Sequence, residues 1–430
     1  MIPLLIVSLL VLLFLTVPIF ASLAVSSLAV FFTYFPGQNM ETMLAQTMVK
    51  SADSFTLLAI PFFMLVGTLM TKGGLAKKLV DIAKAFTGDS AGGLGTAALV
   101  ASMLFAAISG SGPATAAAIG GIMIPAMVAQ GYKSEYACTL LAAGSTIGPV
   151  IPPSIPIIMF AVTMGVSTTT LFMAGIIPGI MMGVGLIIYN KIVSKRNNYR
   201  GEVVAPTMRD KLLALKEGIW ALLMPVIVLG GIYSGIFTPT ESAVVGVVYS
   251  LVVSKFIYKT LNWQNLKEAL VDAGITSATI MVLFGGATTF GRILTLGDIP
   301  NTIANGILSF TTNKVLILII INLILLVVGM FIDTNSGVIL FSPIIVPIMQ
   351  QLGYHEVFIG LMIVVNLCIG MVTPPMGPNL FITLKIGNSP LEKAFPSTVA
   401  VVCILYAVLA VMILFPETVL ILPRLFGMIA

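Results

Sequence analysis

The chain has 430 residues, of which 58% are hydrophobic and only 9% are charged, and its mean hydropathy is +1.11. Water-soluble globular domains carry about a quarter charged residues, so this composition excludes that class. The net charge of +5 comes without a basic stripe that carries interleaved aromatic residues, which argues against nucleic-acid binding. Several apolar stretches reach the roughly 20 residues that a membrane-spanning helix needs, so we expect an all-α polytopic membrane protein.

The first half of the chain alternates apolar runs with helix breakers. Its opening run lacks the basic region and the cleavage site of a signal peptide, so we expect it to be a retained helix. Lys72, Lys77, Lys78 and Lys84 stand beside apolar residues at helical spacing, which is typical of an amphipathic helix at the membrane interface. The other expected elements are apolar runs at 2–17 and 19–35, a polar connection at 36–53, a span at 55–71, a re-entrant hairpin at 93–130, a broken span at 134–165 and a span at 168–190.

A hydrophilic stretch at 191–217 joins this half to a second half that repeats its order. We therefore divide the chain into two repeats, in which the hairpins and broken helices form a transport domain and other helices form a scaffold. The repeats are 1–200 and 201–430, and the scaffold comprises 1–35 and 219–258. The expected elements of the second half are spans at 219–237, 241–258 and 274–292, a weakly amphipathic segment at 297–311, a re-entrant hairpin at 315–352, a broken span at 355–383 and a last span at 398–416.

The two halves also match in sequence. Met123–Phe160 aligns with Ile345–Ile382 without a gap, and IGPVIPPSIP then lies over IGMVTPPMGP. The same alignment places Ser111, near the tip of the first hairpin, opposite Asp333 near the tip of the second. A pair of interrupted apolar segments at corresponding positions of two halves is the best sequence indication of a secondary transporter's binding site.

The distribution of basic residues predicts the orientation. With the N-terminus outside, the trace leaves 4 of the 21 Lys and Arg residues outside, namely Lys50, Arg292, Lys314 and Arg424. Basic residues favour the cytoplasmic side, so we expect both termini outside, which is the periplasm if the membrane is a bacterial inner membrane. The first hairpin then opens from the cytoplasm and the second from the outside, so the repeats are inverted.

Two consecutive prolines interrupt each broken span. Proline has no N–H, so in a helix Pro152 leaves the carbonyl of Gly148 without a donor, and Pro374 does the same for Gly370. Free carbonyls beside hydroxyls suit a hard cation. A kinked helix whose carbonyls bond Ser, Thr or water is the structural alternative. We predict two or more sodium ions, held mainly by main-chain oxygens at Ala107, Gly148, Ile151 and Ser154 in the first repeat and at Gly329, Gly370, Thr373 and Met376 in the second.

The hairpin tips supply candidate substrate-binding residues. Ser109 and Ser111 carry hydroxyls that can coordinate a cation or donate to a carboxylate, although a serine here can also cap the next helix. Asp333 lies in an apolar region, where an acid is a functional candidate, with helix capping as the alternative. Arg292 can pair with a carboxylate or extend to the interface. The predicted substrate site comprises Ser109, Ser111, Ser154, Arg292 and Asp333.

Several kinds of chemistry have no motif in this chain. It contains neither a P-loop for ATP nor an H-E-x-x-H zinc motif, and nothing indicates a bound organic cofactor. The single histidine and the isolated acids provide no base beside the hairpin serines, which argues against an enzyme. We therefore expect a secondary transporter, with a membrane enzyme or a channel as the alternatives.

Four stretches together are specific to one family: SGSGPATAAAIGGIMIPAM, GSTIGPVIPPSIP, GIYSGIFTPTESA and VTPPMGPNLF. Over nearly its whole length the chain resembles the large membrane subunit of tripartite ATP-independent periplasmic (TRAP) transporters. The resemblance implies a sodium-driven importer of organic acids in a bacterial or archaeal inner membrane. It also implies an elevator mechanism, in which a transport domain slides against a scaffold.

The resemblance implies two partner proteins as well as membrane lipid. They are a small four-helix membrane subunit and a periplasmic substrate-binding protein. The family's substrates include C4-dicarboxylates, sialic acids and other sugar acids, and the overall likeness favours the sialic-acid branch. Stand-alone sodium–dicarboxylate symporters share inverted repeats and hairpins, but their paired Ser-Asn-Thr signature is missing here, where only Thr334-Asn335-Ser336 comes near it.

Overall fold

The chain folds into helices throughout its described part, as its composition predicts. The computed structural model describes residues 1–35, 40–87, 90–199, 206–300, 302–303, 306 and 313–429, and these residues contain no strand. Within the described residues, eight segments are long and apolar enough to span a membrane. In chain order the nineteen described helices are α1 Ile2–Phe14, α2 Ile19–Tyr34, α3 Met40–Ala52, α4 Ala59–Lys72, α5 Leu75–Thr87, α6 Gly93–Ser109, α7 Gly112–Ala129, α8 Ser134–Ser145, α9 Ile155–Met164, α10 Thr168–Arg196, α11 Met208–Tyr233, α12 Pro239–Val252, α13 Trp263–Leu296, α14 Lys314–Phe331, α15 Thr334–Gln351, α16 Glu356–Gly370, α17 Pro378–Ile386, α18 Leu391–Leu414 and α19 Glu417–Leu425.

Several helices extend beyond the apolar runs that predict them. The stretch that joins the halves is shorter than expected, because α10 continues to Arg196 and a capping box of Thr207 and Asp210 starts α11 at Met208. Helix α13 has 34 residues and begins well before the expected span, and α19 was not predicted. Hydrophobicity marks the membrane-embedded part of a helix, whereas caps decide where it starts. The expected segment at 297–311 lies largely outside the described residues.

Both predicted hairpins are present. Helices α6 and α7 form the first, and α14 and α15 form the second. Both broken spans are also interrupted, as α8–α9 and α16–α17. The two halves interlock, because α15 packs on α9 of the first half while α17 packs on α7 and α8. The second part of each broken span therefore lies against the hairpin of the other half.

A second group of helices packs beside the hairpins. Helix α13 contacts α2, α3 and α4, and α12 contacts α4 and α11. The amphipathic helix α5 bridges the two groups, since it packs on α6 as well as on α11. An ion pair between Lys78 and Glu217, at 2.7 Å, fastens α5 to α11. The division into transport domain and scaffold stays a prediction, but α5 is placed to connect its two parts.

A buried asparagine, Asn190, joins α6, α8 and α10 near the start of α6. The side-chain nitrogen of Asn190 donates to the carbonyl of Gly92 at 2.8 Å and to the hydroxyl of Thr96 at 3.1 Å. Its side-chain oxygen accepts the hydroxyl of Tyr136 at 3.0 Å. Asn190 is fully buried, so water does not replace these bonds readily. The network fixes the spacing of three helices.

We expect Asn190→Ala to destabilise the fold. The substitution leaves the buried Tyr136 hydroxyl without its acceptor and removes one of the two hydrogen bonds to the Gly92 carbonyl, which costs about 1–3 kcal/mol. The midpoint of thermal unfolding in detergent should fall clearly. Asn197→Ala is the matched control, because Asn197 is exposed and bonds only its own helix. Equal midpoints for the two variants would show that the network contributes nothing.

Candidate functional site

The tip of the first hairpin depends on one glycine. Gly110 has a φ of 58°, in the left-handed region that glycine adopts without strain. A Cβ atom there would lie 2.4 Å from the carbonyl oxygen of Pro153. The carbonyl of Gly110 accepts the N–H of Ile155 at 3.4 Å. The tip therefore docks, main chain to main chain, on the break between α8 and α9.

Oxygen atoms cluster on the side of this tip that faces Gly148. Ser111 caps α7 by accepting the N–H of Ala114 at 3.4 Å, so the capping alternative is confirmed. The hydroxyl of Thr115 donates to the carbonyl of Ser111 at 2.8 Å and lies 3.1 Å from the hydroxyl of Ser109. A Cβ on Gly148 would lie 2.9 Å from the carbonyl oxygen of Ser111 and 3.0 Å from the hydroxyl of Thr115. The glycine thus leaves room beside a group of oxygens.

The first break spans residues 146–154 and contains the cis Pro152–Pro153 bond. The carbonyl of Gly148 accepts no hydrogen bond from the described residues, as predicted. The predicted reason is wrong, because the chain is not helical at these prolines. Ser154 is fully buried, caps α9 and donates its hydroxyl to the carbonyl of Pro149. The carbonyl oxygen of Gly148 is thus one of several main-chain oxygens of this break that lack a donor among the described residues.

The tip of the second hairpin is capped by its acid. One carboxylate oxygen of Asp333 accepts the N–H groups of Asn335 at 3.0 Å and Ser336 at 3.3 Å. The other carboxylate oxygen accepts the hydroxyl of Ser336. The capping alternative for Asp333 is therefore confirmed. The carboxylate still borders the cavity described below, so capping does not remove its charge from the site.

The second break covers residues 371–377 and contains another cis Pro–Pro bond. Here the carbonyl of Gly370 accepts the N–H of Thr373 at 2.9 Å, so the prediction that it lacks a donor is wrong. The chain turns after Gly370 instead of continuing as a helix. The hydroxyl of Thr373 donates to the carbonyl of Ile369 at 2.8 Å, which leaves its lone pairs unused. A Cβ on Gly370 would lie 2.4 Å from the carbonyl carbon of Gly329, so α14 and α16 also touch main chain to main chain.

A cavity of about 660 Å³ separates the two tips from α2, α4 and α13. The first turns of α7, α9 and α15 line it, so three helix N-termini converge there. A helix N-terminus is the positive end of the helix dipole and attracts negative charge. Among the described residues that line the cavity, Asp333 is the one charged side chain. The site therefore combines an acid with three regions of positive potential.

The structure brings together most of the predicted substrate-binding residues. Ser111 and Asp333 line the cavity, while Ser109 and Ser154 are buried at the tip and the break beside it. Arg292 is exposed on α13, nine residues beyond Leu283, which is the last residue of α13 that lines the cavity. Nine residues correspond to about 13 Å along a helix. Arg292 therefore does not reach the cavity.

Three of the predicted cation ligands do not offer a side chain to an ion. Ala107 lies in the last turn of α6, and the side chain of Ile151 packs against Gly179 of α10. The side chain of Met376 is 56% exposed. These residues contribute to a cation site only through main-chain oxygens, as the sequence prediction has it.

The structure adds three polar residues that the sequence analysis missed. Thr115 belongs to the oxygen cluster of the first tip, and its spacing of four from the capping Ser111 was the available signal. The side-chain oxygen of Asn335 is buried at the cavity and has no hydrogen-bond partner among the described residues. The same holds for both side-chain polar atoms of the fully buried Asn379, which lie against Gly112 of the first tip. Nothing in the sequence pairs Asn379 with the other half.

We expect Gly370→Ala to separate the second hairpin from its break. The added methyl group would overlap the main chain of Gly329, and such overpacking typically costs about 1–3 kcal/mol. Gly121→Ala is the control, because a Cβ there meets no atom within 4 Å and alanine favours the helix. Thermal unfolding should show a lower midpoint for Gly370→Ala alone. An unchanged midpoint would contradict the main-chain contact.

A solved structure shares the fold. The Alcanivorax borkumensis YdaH transporter superposes with a TM-score of 0.63 and covers 89% of this chain and 91% of its own. The sequence identity is 14%, so this likeness concerns the fold alone. It confirms the all-helical fold of the chain.

Sequence comparison is more specific. The sialic acid TRAP transporter large permease protein SiaM of Vibrio cholerae is 36% identical over 89% of this chain and 89% of its own. The isethionate TRAP transporter permease protein DctMQ of Oleidesulfovibrio alaskensis is 39% identical over 86% of this chain, which spans 58% of that longer protein. The model of the tripartite ATP-independent periplasmic transporter, DctM component, matches residues 6–418. The chain belongs to this family of large TRAP permease subunits and is a transporter, not an enzyme.

Proposed function

We propose that this chain is a sodium-coupled permease that moves an organic anion through the cavity between its hairpin tips. The convergence of the α7, α9 and α15 N-termini on that cavity carries the proposal. Among the described residues, no Lys or Arg lines it, so the dipoles of these helices are the positive partners of a substrate. Transporters commonly meet anionic substrate groups in this way.

The substrate class follows from what the site offers. Polar groups gather at the tips, whereas the opposite wall includes Phe20, Ile280 and Leu283. Such a cavity binds one acidic group at the tips and accommodates different carbon skeletons against the opposite wall. Two relatives are named for isethionate and sialic acid, which are organic acids with unlike skeletons. Sialic acid is the first substrate to test, because the sequence resemblance favours its branch, and isethionate is the second.

Charge balance supports coupling to sodium. Asp333 and a monovalent anion together bring two negative charges to a site within the membrane, where unpaired charge costs several kcal/mol per ion. Two sodium ions would compensate both charges. Main-chain and hydroxyl oxygens are suitable ligands for a hard cation. We place the first ion beside Gly148 and the first tip, and the second beside Gly370, Gly329 and Thr373.

An elevator movement suits a cavity with two separate walls. The tips and the breaks form one wall, and Thr68, Thr276 and Thr279 belong to the other. The hairpins and broken helices would slide as one unit, connected to the remaining helices by α5. Val226 and Val248 are 64% and 55% exposed on α11 and α12, which gives the expected small membrane subunit an apolar face. A periplasmic binding protein would deliver the substrate.

Uptake into proteoliposomes tests the proposal. The chain and its small subunit would be reconstituted together, and labelled sialic acid or isethionate would be supplied with and without the periplasmic binding protein. We expect saturable uptake that requires an inward sodium gradient and the binding protein. Full uptake in potassium with a proton gradient would overturn sodium coupling, and full uptake without the binding protein would overturn the tripartite assignment.

We expect Thr373→Ala to weaken sodium binding while the fold survives. Loss of one oxygen ligand on the hydrogen-bond scale of about 1–1.5 kcal/mol should raise the half-saturating sodium concentration roughly tenfold. Thr383→Ala is the control, because this buried hydroxyl also donates to its own helix but lies away from both breaks. If the sodium dependence of uptake were the same for both variants, the hydroxyl of Thr373 would serve only its helix.

We expect Asn335→Leu to weaken substrate binding and to leave sodium binding unchanged. It removes an unpartnered buried polar atom at the cavity, and the loss of one hydrogen bond should raise KM about tenfold. Thr276→Val on the opposite wall is the control, because its hydroxyl already donates to the carbonyl of Asp272 at 2.8 Å. KM and the half-saturating sodium concentration would be measured for both variants. A change in sodium dependence alone would assign Asn335 to an ion site.

A further inference from the structure

A second cavity of about 320 Å³ lies on the outer surface, between the end of α12 and the start of α13. Its walls carry Leu251, Phe256, Leu261, Trp263 and Leu266, with Lys255 at the edge. We name it the α12–α13 groove. It is separate from the transport cavity, since no described residue lines both.

An irregular segment of the chain shapes this groove. Val253–Ile257 forms a π-helical turn, which is wider than an α-helical turn and often marks a functional site. The carbonyl of Ser254 then accepts the N–H groups of Thr260 at 3.0 Å and Leu261 at 3.3 Å. The hydroxyl of Thr260 donates to the carbonyl of Gly73 at the end of α4. The groove is thus pre-formed and fixed to a neighbouring helix.

The walls of the groove have the chemistry of a membrane interface. Trp263 is 77% exposed and Phe256 is 70% exposed, although both are large aromatic side chains. Both stand at the ends of membrane-spanning segments, Pro239–Ile257 and Trp263–Leu296. Tryptophan is enriched where the lipid headgroups meet the acyl chains. The apolar floor of the groove therefore lies at the depth of the upper acyl chain.

Lys255 differs from other lysines in this part of the protein. Lys72 pairs with Glu268 at 2.7 Å, and Lys78 pairs with Glu217 at 2.7 Å. Lys255 forms no ion pair with any described residue, although it borders an apolar groove. A cation at the edge of an apolar groove, at headgroup depth, complements a lipid phosphate.

We propose that the α12–α13 groove is a binding site for a phospholipid of net negative charge. One acyl chain lies along Leu251, Phe256 and Leu266, and the headgroup phosphate meets Lys255. Trp263 covers the junction between headgroup and chain. A net negative headgroup is favoured over a zwitterionic one because no acid in the described part of the chain neutralises Lys255.

Fluorescence quenching by brominated lipid tests the site. The chain has two tryptophans, so Trp220→Phe leaves Trp263 as the only one. This variant, reconstituted with its small subunit, would be placed in vesicles that contain phosphatidylglycerol or phosphatidylcholine with brominated acyl chains at equal mole fraction. A lysine near a charged surface contributes about 1 kcal/mol, so we expect roughly fivefold stronger association with phosphatidylglycerol.

Three variants in this background separate headgroup from chain. Lys255→Gln should reduce the preference for phosphatidylglycerol to about one. Lys216→Gln, at an exposed lysine of α11 outside the groove, should keep the full preference. Val252→Phe should fill the groove and weaken quenching by both lipids. Thermal unfolding midpoints would establish that each variant is folded.

Three results would overturn the proposal. Equal quenching by the two lipids in the Trp220→Phe protein would show that the groove does not distinguish lipids by headgroup charge. A preference that survives Lys255→Gln would place the anion elsewhere. A preference that appears only when the small subunit is left out would show that this subunit, and not a lipid, occupies the groove.

Discussion

The structure depends on one constraint, which is that the main chain of an interrupted helix inside a membrane must find its partners within the protein. Lipid offers no hydrogen bond to the breaks in α8–α9 and α16–α17. Each break is instead covered by the main chain of a hairpin, with Gly110 on Pro153 and Gly370 on Gly329. Only glycine allows such an approach. Each hairpin therefore packs directly against its break, main chain to main chain.

The interlocking of the halves turns these two units into one site. Helix α15 of the second hairpin packs on α9, and α17 packs on α7 of the first hairpin. Both tips consequently border the same cavity, with Ser111 on one side and Asp333 on the other. An anion held there would touch both units at once. Under the proposed sodium coupling, such an arrangement would link the two breaks to a single substrate through direct contact, without a long path of intervening residues.

The sequence predicted the architecture well because the signals were local. The paired breakers located both hairpins and both broken spans, and the aligned residues Ser111 and Asp333 both cap a helix, which was the alternative to a binding role for each. The prediction failed where tertiary contacts decide. Proline chemistry suggested an unpaired carbonyl at Gly370, but the turn gives that carbonyl the N–H of Thr373. Arg292 seemed suited to a carboxylate, yet its position along α13 places it beyond the cavity. The contact between Asn379 and Gly112 of the first tip was not predicted, because it depends on packing between the two halves.

The two breaks, which match in sequence, differ in the hydrogen bonds of their main chains. In the second break the carbonyl of Gly370 already has a donor, whereas in the first break the carbonyl of Gly148 has none among the described residues. A buried acceptor without a donor raises the free energy of the empty state. Under the proposed sodium coupling, a cation that enters the first break would relieve this cost, while one that enters the second would compete with an existing bond. The two proposed sites, equivalent in sequence, would then differ in affinity, and the first break would fill before the second.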